Sequence, residues 1–144
     1  MPTPNPESLA PRTIRLRDHV RAEIIAHARD EAPNECCGLL IGQGSVIDAC
    51  VRVRNLCASP TRYLVDPADH VAVIRSLRGT SRGVIGSYHS HPRTPAVPSE
   101  SDRAETLYPE FVWVIVSLLE PEAHVAAYRL TGDGLTSVAI VLES

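Results

Sequence analysis

The chain has 144 residues, the size of one domain, and 44% of them are hydrophobic and 22% charged, as in soluble globular proteins. Its net charge of -3 gives no indication of a nucleic-acid-binding surface. All 14 basic side chains are arginine, which excludes a Schiff-base lysine and a P-loop lysine. The longest apolar run, Phe111 to Leu119, is shorter than the roughly 20 residues that cross a bilayer, so we expect no membrane partner.

The first 12 residues contain four prolines and no apolar stretch typical of a secretory signal. We therefore expect residues 1–12 to be a flexible lead, residues 13–144 to form a single domain, and the protein to lie in the cytoplasm with its cysteines as thiols. The cysteines form no CxxC pair, and the adjacent Cys36 and Cys37 would point to opposite faces of a strand. This arrangement argues against a shared metal.

The first predicted elements are a helix and a hairpin. Apolar residues recur at helical spacing from Asp18, a candidate N-cap, and Pro33 ends this helix; the buried face would be Val20, Ile24, Ile25 and Ala28. Cys37–Gly42 and Val46–Val53 follow as two strands joined by a glycine-containing turn.

The second half of the chain alternates helices and strands. Asp66-Pro67 opens a helix that would bury Val71, Ile74 and Leu77. The other predicted elements are a short edge strand at 63–65, a strand at 83–88, a proline-stiffened loop, a helix from Ser99 to Leu107, strands near 111–118, 123–130 and 136–142, and a turn at 132–134. This order predicts an α/β protein with a mixed sheet flanked by helices.

Three side chains suggest a metal site. His89 and His91 are two residues apart at a strand end, so both rings face the same side, and Asp102 follows in the first turn of the next helix. Two imidazoles and one carboxylate, with a fourth position left for water, form the ligand set of a catalytic zinc site. The sequence therefore predicts a Zn²⁺ cofactor held by these residues.

Two further side chains are candidates for catalysis. Glu35 precedes the first hairpin strand and is a candidate general base, while the Ser99 hydroxyl is a candidate donor to an oxyanion. Each has a structural alternative: Glu35 alone is typical of a solvated turn, and Ser99 with Asp102 resembles a helix-capping box. A single histidine at a strand end is also commonly a packing residue.

The joint pattern distinguishes these alternatives. Glu35, then His89-Ser90-His91-Pro92, six residues, Ser99, two residues and Asp102 resembles the JAMM motif of MPN-domain metalloproteases, and every motif position is filled. The resemblance extends to the strand with the sequence CGLLIG, to Tyr88 and to the segment 112–117, and covers about residues 18 to 142.

The resemblance implies a cytidine-deaminase-like αβα fold with a curved mixed sheet between helices. It also implies a zinc hydrolase that cleaves amide or isopeptide bonds after the C-terminal Gly-Gly of a ubiquitin-like or sulfur-carrier protein. His89, His91 and Asp102 would be ligands, Glu35 the base and Ser99 the oxyanion donor. The substrate tail would run beside segments 62–65 and 92–98.

Two other function classes are weighed against this one. A catalytically inactive MPN scaffold that binds partners usually lacks one or more ligands, whereas all are present here. A nucleobase deaminase would need H-x-E and P-C-x-x-C, and neither occurs in this chain. Whether the chain forms a homodimer is left open, because no apolar surface stripe in the sequence identifies an interface.

Overall fold

The computed structural model describes residues 13–104, 108–132 and 134–144. The predicted lead (1–12), residues 105–107 of the predicted third helix and Asp133 of the predicted turn lie outside these ranges. The elements in chain order are β1 (Thr13–Arg17), α1 (Asp18–Glu31), β2 (Cys37–Gln43), β3 (Val46–Val53), α2 (Pro67–Ser76), β4 (Gly83–His91), α3 (Glu100–Ala104), β5 (Val112–Ser117), β6 (His124–Thr131) and β7 (Gly134–Glu143).

The strands form one mixed sheet that closes on itself in the order β1-β3-β2-β4-β5-β6-β7. β1 is parallel to both of its neighbours, β3 and β7, and β4 is parallel to β5, whereas the other pairs are antiparallel. The predicted α/β class with a mixed sheet and flanking helices is therefore confirmed. Across the described residues, no helix has the length and apolar character needed to cross a membrane.

Strand β1 is absent from the sequence prediction. Its pattern alternates, with Ile14 and Leu16 fully buried and Arg15 exposed, but five residues are too few to identify a strand from periodicity alone. Its partners lie far away in the chain, since Leu16 is opposite both Ile47 and Leu142. Only the closure of the sheet makes this segment a strand.

Helix α1 covers one face of the sheet with the predicted residues, and Val20, Ile24, Ile25 and Ala28 are all buried. The prediction of Asp18 as N-cap is wrong: the helix begins after Arg17, which makes no side-chain cap, and Asp18 lies in the first turn.

A second contact anchors α1 to β4. His27 Nδ1 lies 2.7 Å from the hydroxyl of Tyr88, whose ring crosses the β2 backbone at Gly38. A Cβ at Gly38 would lie only 2.1 Å from that ring, so glycine is required there.

Helix α2 covers the opposite face, but its predicted buried side is wrong at two of three residues. Val73 is buried and Leu77 is half-buried against the same core cluster, whereas Val71 and Ile74 are 46% and 44% exposed. The cause is an anchor at the start of the helix, where the Asp69 carboxylate accepts a hydrogen bond from the backbone N–H of Arg54, at 2.9 Å. Since residues i and i+4 share a helix face, this bond turns Val73 toward the sheet.

Two predictions for strands are wrong, and the prediction for the adjacent cysteines is confirmed. β4 continues through His91 and does not end at Tyr88, and segment 63–65 forms only an isolated bridge between Asn55 and Val65. Cys36 and Cys37 pack in different core clusters, one on each face of the sheet, as predicted for adjacent strand residues. The cysteines are free thiols.

Candidate metal and catalytic site

His89, His91 and Asp102 converge on one point. His89 and His91 lie on the same face of β4, and Asp102 in the first turn of α3 reaches back to them. The two Nε2 atoms are 3.2 Å apart, and Asp102 Oδ2 lies 3.1 Å from His89 Nε2 and 3.0 Å from His91 Nε2. The three predicted ligand atoms therefore form a nearly equilateral triangle.

The size of that triangle fits a tetrahedral zinc ion. With zinc–ligand bonds of about 2.0–2.1 Å, two ligands of a tetrahedron lie about 3.3 Å apart. All three residues are at least 94% buried. This buried donor set is suited to a cation, because it consists of two imidazole nitrogens that face each other and one carboxylate. The residues present thus fit a metal ion.

The ligand rings are oriented by their surroundings. His91 Nδ1 lies 2.8 Å from the carbonyl oxygen of Pro95, so this nitrogen carries the proton and Nε2 is left to bind a metal. The ring of His89 stacks on Tyr63, with the ring centroids 4.2 Å apart and the planes 16° from parallel. The sequence predicts Tyr63 as part of an edge strand and of a wall of the substrate channel, but not as a contact of a ligand ring, because no spacing in the sequence relates it to the motif.

The charges of the cluster are strongly coupled. Burial opposes ionisation of Asp102, but hydrogen bonds from His89 and His91 hold its pKa well below the usual range. Burial also lowers the pKa of His89. At His91 burial acts in the same direction, but the hydrogen bonds to Asp102 and Pro95 and the charges of Asp102 and Glu35 together outweigh it and raise the pKa. The site therefore favours an ionised Asp102 and a neutral His89, as a metal requires of its ligands, whereas at His91 a metal competes with a proton.

Glu35 lies beside this triangle. One oxygen of Glu35, one ring nitrogen each of His89 and His91, and one oxygen of Asp102 all lie within 4.8 Å of one another. Glu35 is 4% exposed, and its Oε1 makes no hydrogen bond within the described part of the chain. Burial raises the pKa of Glu35 to about 8, an effect that His91 opposes and Asp102 reinforces. The carboxyl is thus buried, and its Oε1 is available to accept a proton. A solvated turn residue, the structural alternative, would not be buried in this way.

The antiparallel pairing of β2 with β4 brings Glu35 to the ligands. Cys37 is opposite His89, so the residues just before β2 reach the metal-binding end of β4. Ser90 joins the two segments: its Oγ accepts from Cys36 N–H at 2.8 Å, and its own N–H donates to the Cys36 carbonyl at 3.1 Å. Ser90, which lies between the two histidines, therefore fixes the backbone of Cys36, the residue after Glu35.

Ser99 forms a reciprocal cap with Asp102. The Asp102 N–H donates to Ser99 Oγ at 3.1 Å, and the Ser99 N–H donates to Asp102 Oδ2 at 2.9 Å. This is the capping-box arrangement that the sequence left open. A hydroxyl that accepts from an amide still has its own proton to donate, so the cap and an oxyanion role are compatible. The same cap orients the Asp102 carboxylate toward the histidines.

Comparison with known proteins agrees with this geometry. The model of the prokaryotic homologues of the JAB domain matches residues 17–131. The desampylase of Haloferax volcanii is 31% identical over 137 residues, which span 90% of this chain and 96% of that protein. The CysO-cysteine peptidase of Mycobacterium tuberculosis is 32% identical over 124 residues, which span 81% and 85% of the two chains.

A solved structure shows the same fold. The solution structure of a protein from Desulfitobacterium hafniense superposes with a TM-score of 0.83 at 32% identity, and the match covers 91% of this chain and 93% of the other. The resemblance inferred from the motif is confirmed by these matches. This chain belongs to the family of prokaryotic homologues of the JAB domain.

Proposed function

We propose that this protein is a zinc-dependent hydrolase that cleaves amide or isopeptide bonds after the C-terminal Gly-Gly of a ubiquitin-like or sulfur-carrier protein. The observation that carries the proposal is the convergence of His89, His91 and Asp102 with the buried Glu35 within 4.8 Å. The names of two relatives, a desampylase and a CysO-cysteine peptidase, support a hydrolytic role on such carriers.

The three triangle residues would hold the zinc ion, and each has a supporting contact. His91 is held by Pro95, His89 by the stacked Tyr63 ring and Asp102 by the Ser99 amide. When bound, zinc supplies Lewis acidity that acidifies water and polarises a carbonyl group. The protein buries all three ligands, and the Glu35 carboxylate lies beside them.

Glu35 would act as the general base and then as the general acid. Its carboxylate takes a proton from the attacking water and passes that proton to the leaving amine as the carbon–nitrogen bond breaks. A buried carboxyl with a raised pKa is suited to both halves of this transfer, because it is neither a very weak base nor a very weak acid near neutral pH.

Ser99 would donate its hydroxyl proton to the oxygen that gains negative charge on the scissile carbonyl. The amide of Asp102 already occupies one lone pair of Ser99 Oγ and thereby fixes the position of the hydroxyl oxygen next to this ligand residue. A donor fixed in this way needs little reorganisation during the reaction, which is the basis of oxyanion stabilisation.

The substrate tail would lie between two segments that contact the ligands. Tyr63, in the predicted channel wall 62–65, stacks on His89, and the carbonyl of Pro95, in the wall 92–98, binds His91. A cavity of about 170 Å³ continues from this point along the same sheet face. Its lining is mostly apolar and includes Leu39, Tyr63, Leu64, His70, Phe111 and Trp113.

The test is an assay with purified, zinc-loaded protein on carrier proteins ending in Gly-Gly. Three versions of each carrier are compared: a linear extension, an isopeptide to a lysine, and a cysteine adduct. We expect release of the free Gly-Gly carrier from at least one version, and none from His89→Ala, which also loses zinc. A wild-type protein that binds the carrier but cleaves none of them would support the alternative of an inactive scaffold.

The remaining predictions concern the protein in the cell. We propose that it is cytoplasmic, with carrier proteins as partners and neither nucleic acid nor membrane as a ligand. The sequence leaves open whether the chain forms a homodimer, and light scattering of the purified protein with and without zinc distinguishes a monomer from a dimer.

A further inference from the structure

The loop between β3 and α2 contacts both the base and a metal ligand. We call residues 55–65 the Asn55 loop. The Glu35 N–H donates to the Ser59 carbonyl at 2.8 Å, and the Glu35 carbonyl accepts from Asn55 Nδ2 at 3.0 Å. Tyr63, in the same loop, stacks on His89. One loop therefore binds the backbone of Glu35 at both of its polar groups and supports a ligand ring.

Asn55 is the centre of this loop. Its side-chain nitrogen donates to the carbonyls of Glu35 and Arg62, at 3.0 and 3.1 Å. Its side-chain oxygen accepts from the N–H groups of Cys57 and Leu64, both at 2.9 Å. An asparagine amide offers two donors and an acceptor with two lone pairs, so all four positions are used. A carboxylate or hydroxyl of similar size lacks this combination.

The loop conformation depends on these contacts. Ala58 has a φ of +44°, in the left-handed region that side chains other than glycine rarely adopt. Such a residue persists where surrounding contacts determine the backbone. Asn55 makes three hydrogen bonds to residues of the loop, and these contacts hold the backbone in this conformation.

The position of the Glu35 carboxylate depends on its backbone. Glu35 Oε1 is buried without a hydrogen-bond partner among the described residues, so no bond at that atom fixes its direction. Two backbone anchors flank the residue: the Asn55 loop holds Glu35 itself, and Ser90 holds Cys36. A shift of the backbone would therefore be transmitted directly to the carboxyl group.

We propose that Asn55 is a positioning residue, which fixes Glu35 against the metal ligands and couples it to the loop that bears Tyr63. The proposal rests on the proposed function in so far as Glu35 is the base. Asn55 does not touch the reacting atoms. It acts through the backbone of Glu35 and through the loop, and misplacement of a reacting group by about 1 Å can cost about 10²-fold in rate.

The experiment compares Asn55→Asp with Asn34→Asp. Asn55→Asp removes the donors to Glu35 and Arg62 but keeps an oxygen that accepts from Cys57 and Leu64. Asn34 is next to Glu35 and makes no side-chain hydrogen bond that the structure records, so its variant adds the same charge nearby without that loss. We expect Asn55→Asp to lower kcat by about 10–100-fold with KM changed less than about threefold and zinc content unchanged, and Asn34→Asp to retain the wild-type kcat.

A kcat of Asn55→Asp within about threefold of Asn34→Asp would overturn the proposal. If Asn55→Asp does not fold, the uncharged Asn55→Ser, whose side chain is too short to reach the Glu35 carbonyl, provides the same comparison. A loss of zinc binding or a rise in KM alone would also overturn it, since either would mean that Asn55 supports the fold or the substrate channel and not the base.

Amide hydrogen exchange on the metal-free protein separates this proposal from the proposed function. The Glu35 N–H donates to the Ser59 carbonyl of the same loop, so its exchange reports whether the loop stays in place on Glu35. In Asn55→Asp, which loses the bond to the Glu35 carbonyl, we expect this exchange to be at least about tenfold faster, while the Cys57 and Leu64 amides, which an aspartate can still accept from, stay protected. If the wild-type protein cleaves none of the carriers, the proposed function fails, and this measurement still decides whether Asn55 anchors Glu35. Unchanged exchange at Glu35 would show that it does not.

Discussion

Glu35 differs from the three ligand residues in its local contacts. His89, His91 and Asp102 contact each other at 3.0–3.2 Å, whereas Glu35 Oε1 has no hydrogen-bond partner in the described ranges. A base must be close to the metal and yet be free to take a proton. This difference separates the proposed base from the proposed ligands.

Glu35→Gln tests this division of roles. The amide has the same shape but cannot take a proton, so we expect hydrolysis to fall by about 10²–10⁴-fold. Zinc content, measured by elemental analysis, should stay at about one ion per chain because the ligand triangle is unchanged. A variant that cleaves like the wild type would show that another group is the base, and loss of zinc would show that Glu35 is a ligand.

Ser99→Ala tests the second catalytic candidate. Removal of an oxyanion donor lowers kcat by about 10²–10³-fold, whereas loss of a helix cap lowers the free energy of unfolding by about 1 kcal/mol. We expect both effects, measured by steady-state kinetics and urea denaturation. Ser99→Thr is the control, since it keeps a hydroxyl that can fill both roles, whereas Ser101 Oγ lies 3.2 Å from Ser99 Oγ and its removal would alter the same hydroxyl. A fall in stability with an unchanged kcat would assign Ser99 to the cap alone.

The contact between α1 and β4 adds a pH-dependent term to stability. Burial lowers the pKa of His27 from 6.5 to about 4, and the Arg52 charge acts in the same direction. Below about pH 6.5 the unfolded chain takes up a proton on this residue, and the folded chain does not until about pH 4. The folded state is therefore destabilised as the pH falls through this range.

His27→Gln should make the unfolding free energy less dependent on pH between 6.5 and 4. In the wild type, His27 lowers the free energy of unfolding by at most about 1.4 kcal/mol for each unit by which the pH falls in this range. Urea denaturation at several pH values measures this slope. His19→Gln is the control on the same helix, because the side chain of His19 is 60% exposed. Equal pH profiles for the wild type and His27→Gln would contradict the prediction.

At the scale of the whole molecule, β1 closes the sheet between β3 and β7. Leu16 is fully buried, while its register partner Leu142 on β7 is 49% exposed. We expect Leu16→Ala to lower the free energy of unfolding by about 2–5 kcal/mol and Leu142→Ala by about 0.5 kcal/mol or less. Urea denaturation measures both. Equal losses would show that β1 is not a core strand.

The proposed domain boundary at residue 13 follows from the same closure. Deletion of residues 1–12 leaves β1 complete, so we expect unchanged zinc content and a melting temperature within about 2 °C of the full chain. Deletion of residues 1–17 removes both Ile14 and Leu16 from the core and should prevent stable folding. Loss of folding in the shorter deletion would move the boundary toward the N-terminus.

Several features of this protein were predictable from the sequence because they depend on short-range patterns. The buried face of α1 follows from a helical repeat, and the hairpin β2–β3 follows from two apolar runs joined by a glycine turn. The candidate ligands lie between His89 and Asp102, where strand alternation already places both rings on one side. Glu35 and Ser99 are candidates from their chemistry alone, and the motif resemblance favours their catalytic roles over the structural alternatives.

The tertiary structure decided what depends on pairing between distant segments. β1 is a strand only because β3 and β7 flank it, and α2 turns Val73 inward because Asp69 binds the backbone of Arg54. Glu35 meets the histidines because β2 pairs with β4, and Asn55 reaches Glu35 across 20 residues of sequence. Local periodicity carries no information about such contacts, since the energy that stabilises them is gained only when the sheet closes.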